Sequence, residues 1–158
     1  MIRLPAAVTI LLSLGELMFA LSPTLQAQRA AGDIGIGLQI GEPSGLSVGY
    51  YQSDGVGVDV LAAWDLDDYL YVNAHALYTR PINELNELDL YFFFGPGAFV
   101  GLQENRNDWG FRAGISGTAG ISLMISSFEI YFRLTPRLRL IDETRADIGG
   151  GLGLRWWF

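Results

Sequence analysis

The 158-residue chain has no cysteine, no lysine and a single histidine. Without cysteine there is no disulfide framework and no thiolate metal site. Without lysine, all ten basic residues are arginine, set against 17 acidic residues for a formal charge of −7. A chain with a pI of about 4.5 repels phosphate, which excludes nucleic acid as a partner. One histidine alone argues for no metal and no cofactor. Long apolar runs are missing too, except at the amino end. Beyond residue 27, glycine or charge interrupts every run well short of the roughly 20 residues a membrane helix needs.

Apolar character is nonetheless high: 50% hydrophobic residues, 13% aromatic, and a mean hydropathy of +0.27. Residues 1–27 read as a cleavable signal peptide. Arg3 supplies the basic start, Ala6 to Leu21 the apolar stretch, and Ser22-Pro23 the break before Leu25-Gln26-Ala27. Cleavage is expected after Ala27, with Ala30 or Ala31 as the second choice. Glu16 inside the apolar stretch argues against a retained membrane helix, and no cysteine follows to carry a lipid anchor. Residues 28–158 are then one domain, long enough for one closed core or one small barrel.

That domain is a series of alternating segments. In the last, residues 145–158, Ile148, Gly150, Leu152, Leu154, Trp156 and Phe158 form one row. Asp147, Gly149, Gly151, Gly153, Arg155 and Trp157 form the other. Strict alternation gives a strand with two unlike faces. Seven further segments follow the same rule, over residues 33–41, 46–52, 56–66, 69–80, 88–102, 109–125 and 128–141. Turn chemistry separates them, as in Glu42-Pro43-Ser44-Gly45, Ser53-Asp54-Gly55 and Ser126-Ser127. Pro96, inside the fifth segment, predicts a bulge or bend.

Eight segments joined by short connections suit an antiparallel up-and-down barrel, whose interior is just wide enough for side chains to fill. The charges decide which way the faces point. One row holds Asp59, Arg112, Glu129, Arg133, Arg137, Arg139 and Arg155 with most of the glycines; the other is almost pure Ile, Leu, Val, Phe and Trp. Turning the apolar row to water would expose a patch around the whole circumference, whereas lipid accommodates it. The fold expected is an eight-stranded transmembrane β-barrel with charges inside. Aromatic belts are expected at both membrane boundaries: Trp64, Tyr69 and Trp109 on one side, and Tyr50, Tyr78, Phe92, Phe128, Trp156 and Phe158 on the other.

The closing run D-I-G-G-G-L-G-L-R-W-W-F resembles the C-terminal assembly signal of bacterial outer-membrane barrels. Together with I-G-I-G-L-Q-I-G-E-P-S-G-L in the first strand, it is similar to small outer-membrane barrels related in architecture to the OmpA transmembrane domain. The resemblance covers Asp33 to Phe158. It implies an outer-membrane location and recognition of Leu152, Leu154, Trp156 and Phe158 by the barrel-assembly machinery. It also implies periplasmic chain ends. The outer connections are then 42–45, 65–68, 103–108 and 142–144, all short, and the periplasmic turns are 53–55, 81–87 and 126–127.

The candidate functional residues are the interior charges: Asp59, His75, Asp89, Arg112, Glu129, Arg133, Arg137, Arg139, Asp147 and Arg155. Each buried arginine needs a carboxylate, because an unpaired charge costs far more than a paired one. Glu129 is expected to serve Arg133, four residues along the same strand. Inward glycines on the first and last strands leave a trough for Tyr131, Arg133 and Arg137. The acidic Asp65, Asp67, Asp68, Glu104, Asp108, Asp142 and Glu143 gather at the outer rim and read as solvated loop residues rather than a divalent-cation site. The function expected is structural: a monomeric, non-enzymatic barrel supporting the envelope, embedded in outer-membrane lipids, with a salt-bridged interior. A narrow pore for ions or small solutes is the alternative. A lipid-modifying enzyme comes third. It would need a serine beside His75 and a carboxylate such as Asp59 to orient the ring, and no serine lies two positions on.

Overall fold

In a computed structural model of the protein, residues 29–65, 69–82, 89–105, 108–141 and 143–158 are described. The signal-peptide segment therefore lies outside the described residues. The chain forms eight strands: β1 (Ile34–Glu42), β2 (Gly45–Ser53), β3 (Val56–Asp65), β4 (Tyr69–Pro81), β5 (Asp89–Asn105), β6 (Asp108–Ile125), β7 (Phe128–Ile141) and β8 (Arg145–Trp157). Each pairs antiparallel with its neighbours, and β1 pairs with β8 to close the barrel. Closure leaves neither β1 nor β8 with a free edge. We call the end bearing 53–55, 126–127 and both barrel termini the turn end, and the opposite end the loop end.

Local chemistry explains how the strands are joined. Asp54 and Gly55 both have positive φ, 52° and 79°. Two positive φ values in a two-residue connection give the primed turn that matches strand twist, and Asp-Gly favours it. At the loop end, β5 and β6 pair as far as Asn105↔Asp108. The expected loop over 103–108 is thus mostly strand, because its polar residues continue the ladder where no burial pattern was there to mark it.

Pro96 interrupts regular pairing with β4, as expected, but without a bulge. His75↔Gly97 and Tyr78↔Phe94 keep one register across it, and Pro96 itself pairs with Gly117. Proline removes a donor without adding a residue, so the ladder skips Ala76 and Leu77 but the count is unchanged. The register shifts that do occur lie at Tyr51/Ser53 and at Ala113/Gly114.

The faces are inverted relative to a water-soluble barrel. Apolar side chains from all eight strands are exposed, among them Ile40, Leu46, Val58, Leu70, Phe94, Ile121, Leu134 and Leu154. Buried instead are Gln39, Ser47, Asp59, Asn73, His75, Thr118, Ser122, Glu129, Arg133, Thr135 and Arg155. Aromatic rings gather at the turn end, where Tyr78, Phe94 and Phe92 stack in sequence. Phe128, Trp156 and Phe158 form a second run; neighbouring centroids lie 5.8 Å apart in the first and 5.8–6.5 Å apart in the second. Trp64 is exposed near the loop end, while the side chains of Tyr69 and Trp109 lie outside the described residues.

Candidate functional site

The interior is built from the inward row of each strand, and cross-strand register decides which charges meet. Glu129 lies directly opposite Arg155, and Arg137 opposite Asp147. These pairs form: Arg155 Nη1 to Glu129 Oε2 at 3.2 Å and Arg137 Nε to Asp147 Oδ1 at 2.5 Å. Asp59 reaches across the interior and pairs with both Arg133 and Arg155. Arg133 also donates from Nε to Gln39 Oε1 at 2.6 Å, and Arg155 donates to Ser47 Oγ at 2.5 Å.

Arg133 therefore meets Asp59, not Glu129. Residues four apart on one strand stand about 13 Å from each other, beyond hydrogen-bond reach. Residues on facing walls of so small a barrel are closer. Glu129 instead accepts from Arg155, from Trp157 Nε1 at 2.8 Å and from Arg29, which lies ahead of the first strand. The guanidinium of Arg155 also lies over the Tyr131 ring at 4.8 Å and that of Arg133 at 5.4 Å. Three guanidiniums and two carboxylates thus share the turn-end half of the interior. The space left among them holds about 20 Å³, room for little more than one water.

The remaining candidates are placed differently. Asp89 sits exposed at the turn-end rim and forms no ion pair among the described residues, because the strand end lifts it clear of the interior. Arg112 and Arg139 lie toward the loop end, each with a buried Nε that has no hydrogen-bond partner among the described residues. Of the acidic rim residues, only Glu143 has a described side chain, and it is exposed.

His75 stands opposite Asp59 on the adjacent strand but does not bond to it. Both Asp59 oxygens are engaged by arginine instead. His75 Nε2 lies 3.1 Å from Ser116 Oγ, which also donates to Asn73 Oδ1 at 3.0 Å. The serine absent from the local sequence is thus supplied by β6, two strands away. Among the described residues His75 Nδ1 has no partner, so no carboxylate there orients the ring as in a nucleophilic triad.

Glycines shape the room for these groups. A Cβ on Gly153 would fall 2.1 Å from the Tyr131 ring, and one on Gly149 3.1 Å from Arg137 Cζ. The trough therefore takes Tyr131 and Arg137, and Gln39 rather than Arg133 lies over Gly151. Gly153→Ala should destabilise the barrel by about 1–3 kcal/mol through overpacking. Gly117→Ala is the matched control, because nothing lies closer than 3.9 Å to its added Cβ; that variant should unfold at the wild-type denaturant midpoint or above it. Urea titration of both in the same lipid vesicles makes the comparison.

No protein-family model and no curated protein matches the chain. Among solved structures, it superposes on the N-terminal β-barrel domain of Pseudomonas aeruginosa OprF with a TM-score of 0.56 at 18% identity. That match covers 80% of this chain and 96% of that one. The fold is that of the OprF barrel. Neisserial surface protein A is similar at a TM-score of 0.49 and 12% identity, over 80% of this chain and 94% of that one; so weak a likeness adds nothing to the assignment.

The C-terminal residues Leu152, Leu154, Trp156 and Phe158 all lie on the outward face, at the seam where β8 meets β1. Leu154 pairs with Leu38 and Trp156 with Ile36. Phe158 exchanges backbone hydrogen bonds with Ile34, both at 3.0 Å.

Proposed function

We propose that the protein is an integral outer-membrane β-barrel with a structural, envelope-supporting role, no catalysis and an interior closed by its own salt bridges. One observation carries this reading. The exposed face of all eight strands is apolar, while the buried face holds Asp59, Glu129, Arg133 and Arg155 in a joined network. Water would not tolerate the first, and lipid would not tolerate the second unless it were enclosed and paired. The apolar belt also names the immediate partners, outer-membrane lipids. Export by a signal peptide removed after Ala27 and recognition of the closing strand by the assembly machinery belong to the same reading. So does a monomeric state, since each barrel closes on itself and leaves no strand edge to recruit a second copy.

The roughly 20 Å³ left among the interior charges favours a plug over a pore, because a conducting path needs a continuous column of water. Purified protein inserted in a planar bilayer should show no steady unitary conductance in 1 M salt. Reproducible channels of one size from the wild-type protein would overturn the closed interior in favour of an ion pathway.

A further inference from the structure

We propose that the turn-end mouth contains a guanidinium-binding cage, and that the protein fills it in cis with Arg29 as a tethered ligand. Arg29 belongs to no strand. A short turn sets its direction: Ala30 N donates to Asp33 Oδ2 at 2.7 Å, and Asp33 N donates to Ala30 O at 3.1 Å. The turn is fixed to β2, since Gly32 N donates to Tyr51 O at 2.8 Å and Tyr51 N to Asp33 O at 2.9 Å. From this anchor beside β1 and β2, the Arg29 side chain crosses the mouth to the far wall.

What it meets there is a cage made by four successive strands. Glu129 of β7 is 2% exposed and forms an ion pair with Arg29. The guanidinium carbon lies 4.7 Å from the centre of the Trp157 ring on β8 and 5.6 Å from that of Tyr91 on β5. Ser122 Oγ and Met124 S on β6 accept from Arg29 Nη2 at 3.3 and 3.6 Å. A buried carboxylate, two aromatic faces, a hydroxyl and a thioether are the groups that recognise a flat organic cation.

The cage walls do not depend on their occupant. Glu129 also holds Arg155 at 3.2 Å and Trp157 Nε1 at 2.8 Å, contacts in which Arg29 takes no part. The strands themselves pair without it. An emptied cage should therefore persist and accept a free guanidinium. This goes beyond the closed-interior reading and outlives its failure, because the cage stands at the mouth whether or not ions pass further in.

A cage filled by Arg29 also selects among the expected processing sites. Cleavage after Ala27 leaves Arg29 on the mature chain, whereas cleavage after Ala30 or Ala31 removes it. Intact mass of the mature protein should correspond to a chain starting at Gln28. A start at Ala31 or Gly32 would overturn the proposal with no variant needed.

The binding test labels the four tryptophans with 5-fluorotryptophan and assigns the Trp157 fluorine signal by Trp157→Phe. Arg29→Ala should move that signal. Methylguanidinium should return it toward the wild-type position saturably, with a dissociation constant on the order of millimolar. Sodium chloride at equal ionic strength should not, and neither should methylguanidinium added to Arg29→Ala/Glu129→Gln. An unmoved signal in Arg29→Ala, or a return that is linear in concentration or reproduced by sodium chloride, would overturn the cage. Should Arg29→Ala fail to fold, the independence of the walls is wrong and the proposal falls with it.

Discussion

Replacing Asp59 with asparagine should destabilise the barrel by about 3–5 kcal/mol, more than removing either arginine it holds. Asp59 is fully buried and, among the described residues, is the one carboxylate paired with both Arg133 and Arg155. The asparagine variant keeps the volume and one acceptor but leaves two guanidiniums facing a neutral amide. Arg155 retains Glu129, whereas Arg133 keeps, among the described residues, only Gln39 as a hydrogen-bond partner, at 2.6 Å, so most of the loss belongs to Arg133. Asp59→Asn combined with Arg133→Gln should then cost less than the two single changes added together, with a coupling in the upper part of the usual range of about 0.5–3 kcal/mol. Urea titrations of the four proteins in lipid vesicles give this number. Strict additivity would mean that water reaches the pair and screens it.

The second large effect is on the outer face. Leu134 is half exposed near the middle of β7. Leu134→Arg should cost about 2–4 kcal/mol in a bilayer, the penalty of a guanidinium near the midplane. Phe128→Arg, at the turn-end rim of the same strand, should cost about 0–1 kcal/mol for the charge itself, because the side chain there reaches the headgroups. The depth dependence separates lipid from water. In a water-facing row, neither arginine would carry a depth-graded cost.

The strands and their faces were legible because alternation is a local property. Phe128 to Ile141 reads outward and inward in strict turn with no knowledge of its neighbours, and the structure buries Glu129, Tyr131, Arg133 and Thr135 on the inner side. Pairing partners were less legible. Residues along one strand invite in-strand pairing, as with Glu129 and Arg133. The actual partners are set by register and by the barrel's narrow bore, which bring Asp59 of β3 to Arg133 of β7. The same non-local geometry hides Ser116 from His75, 41 positions away in sequence. Pro96 marks a real break in pairing with β4 but no bulge, because a proline removes a hydrogen bond without adding a residue. Arg29 was passed over since it follows so closely on a predicted cleavage site, where composition gives no sign of an inward-pointing side chain.

Whether the apolar row faces lipid can be tested directly, because the chain has no native cysteine. Single cysteines at Ile130, Phe132, Leu134 and Leu140 of β7, each spin-labelled and reconstituted in vesicles, report accessibility to oxygen, which partitions into lipid, and to a nickel chelate, which stays in water. The outward-facing barrel predicts high oxygen and low nickel access at Phe132 and Leu134, with nickel access rising toward Leu140. High nickel access at Phe132 and Leu134 would contradict it, because those side chains would then face water.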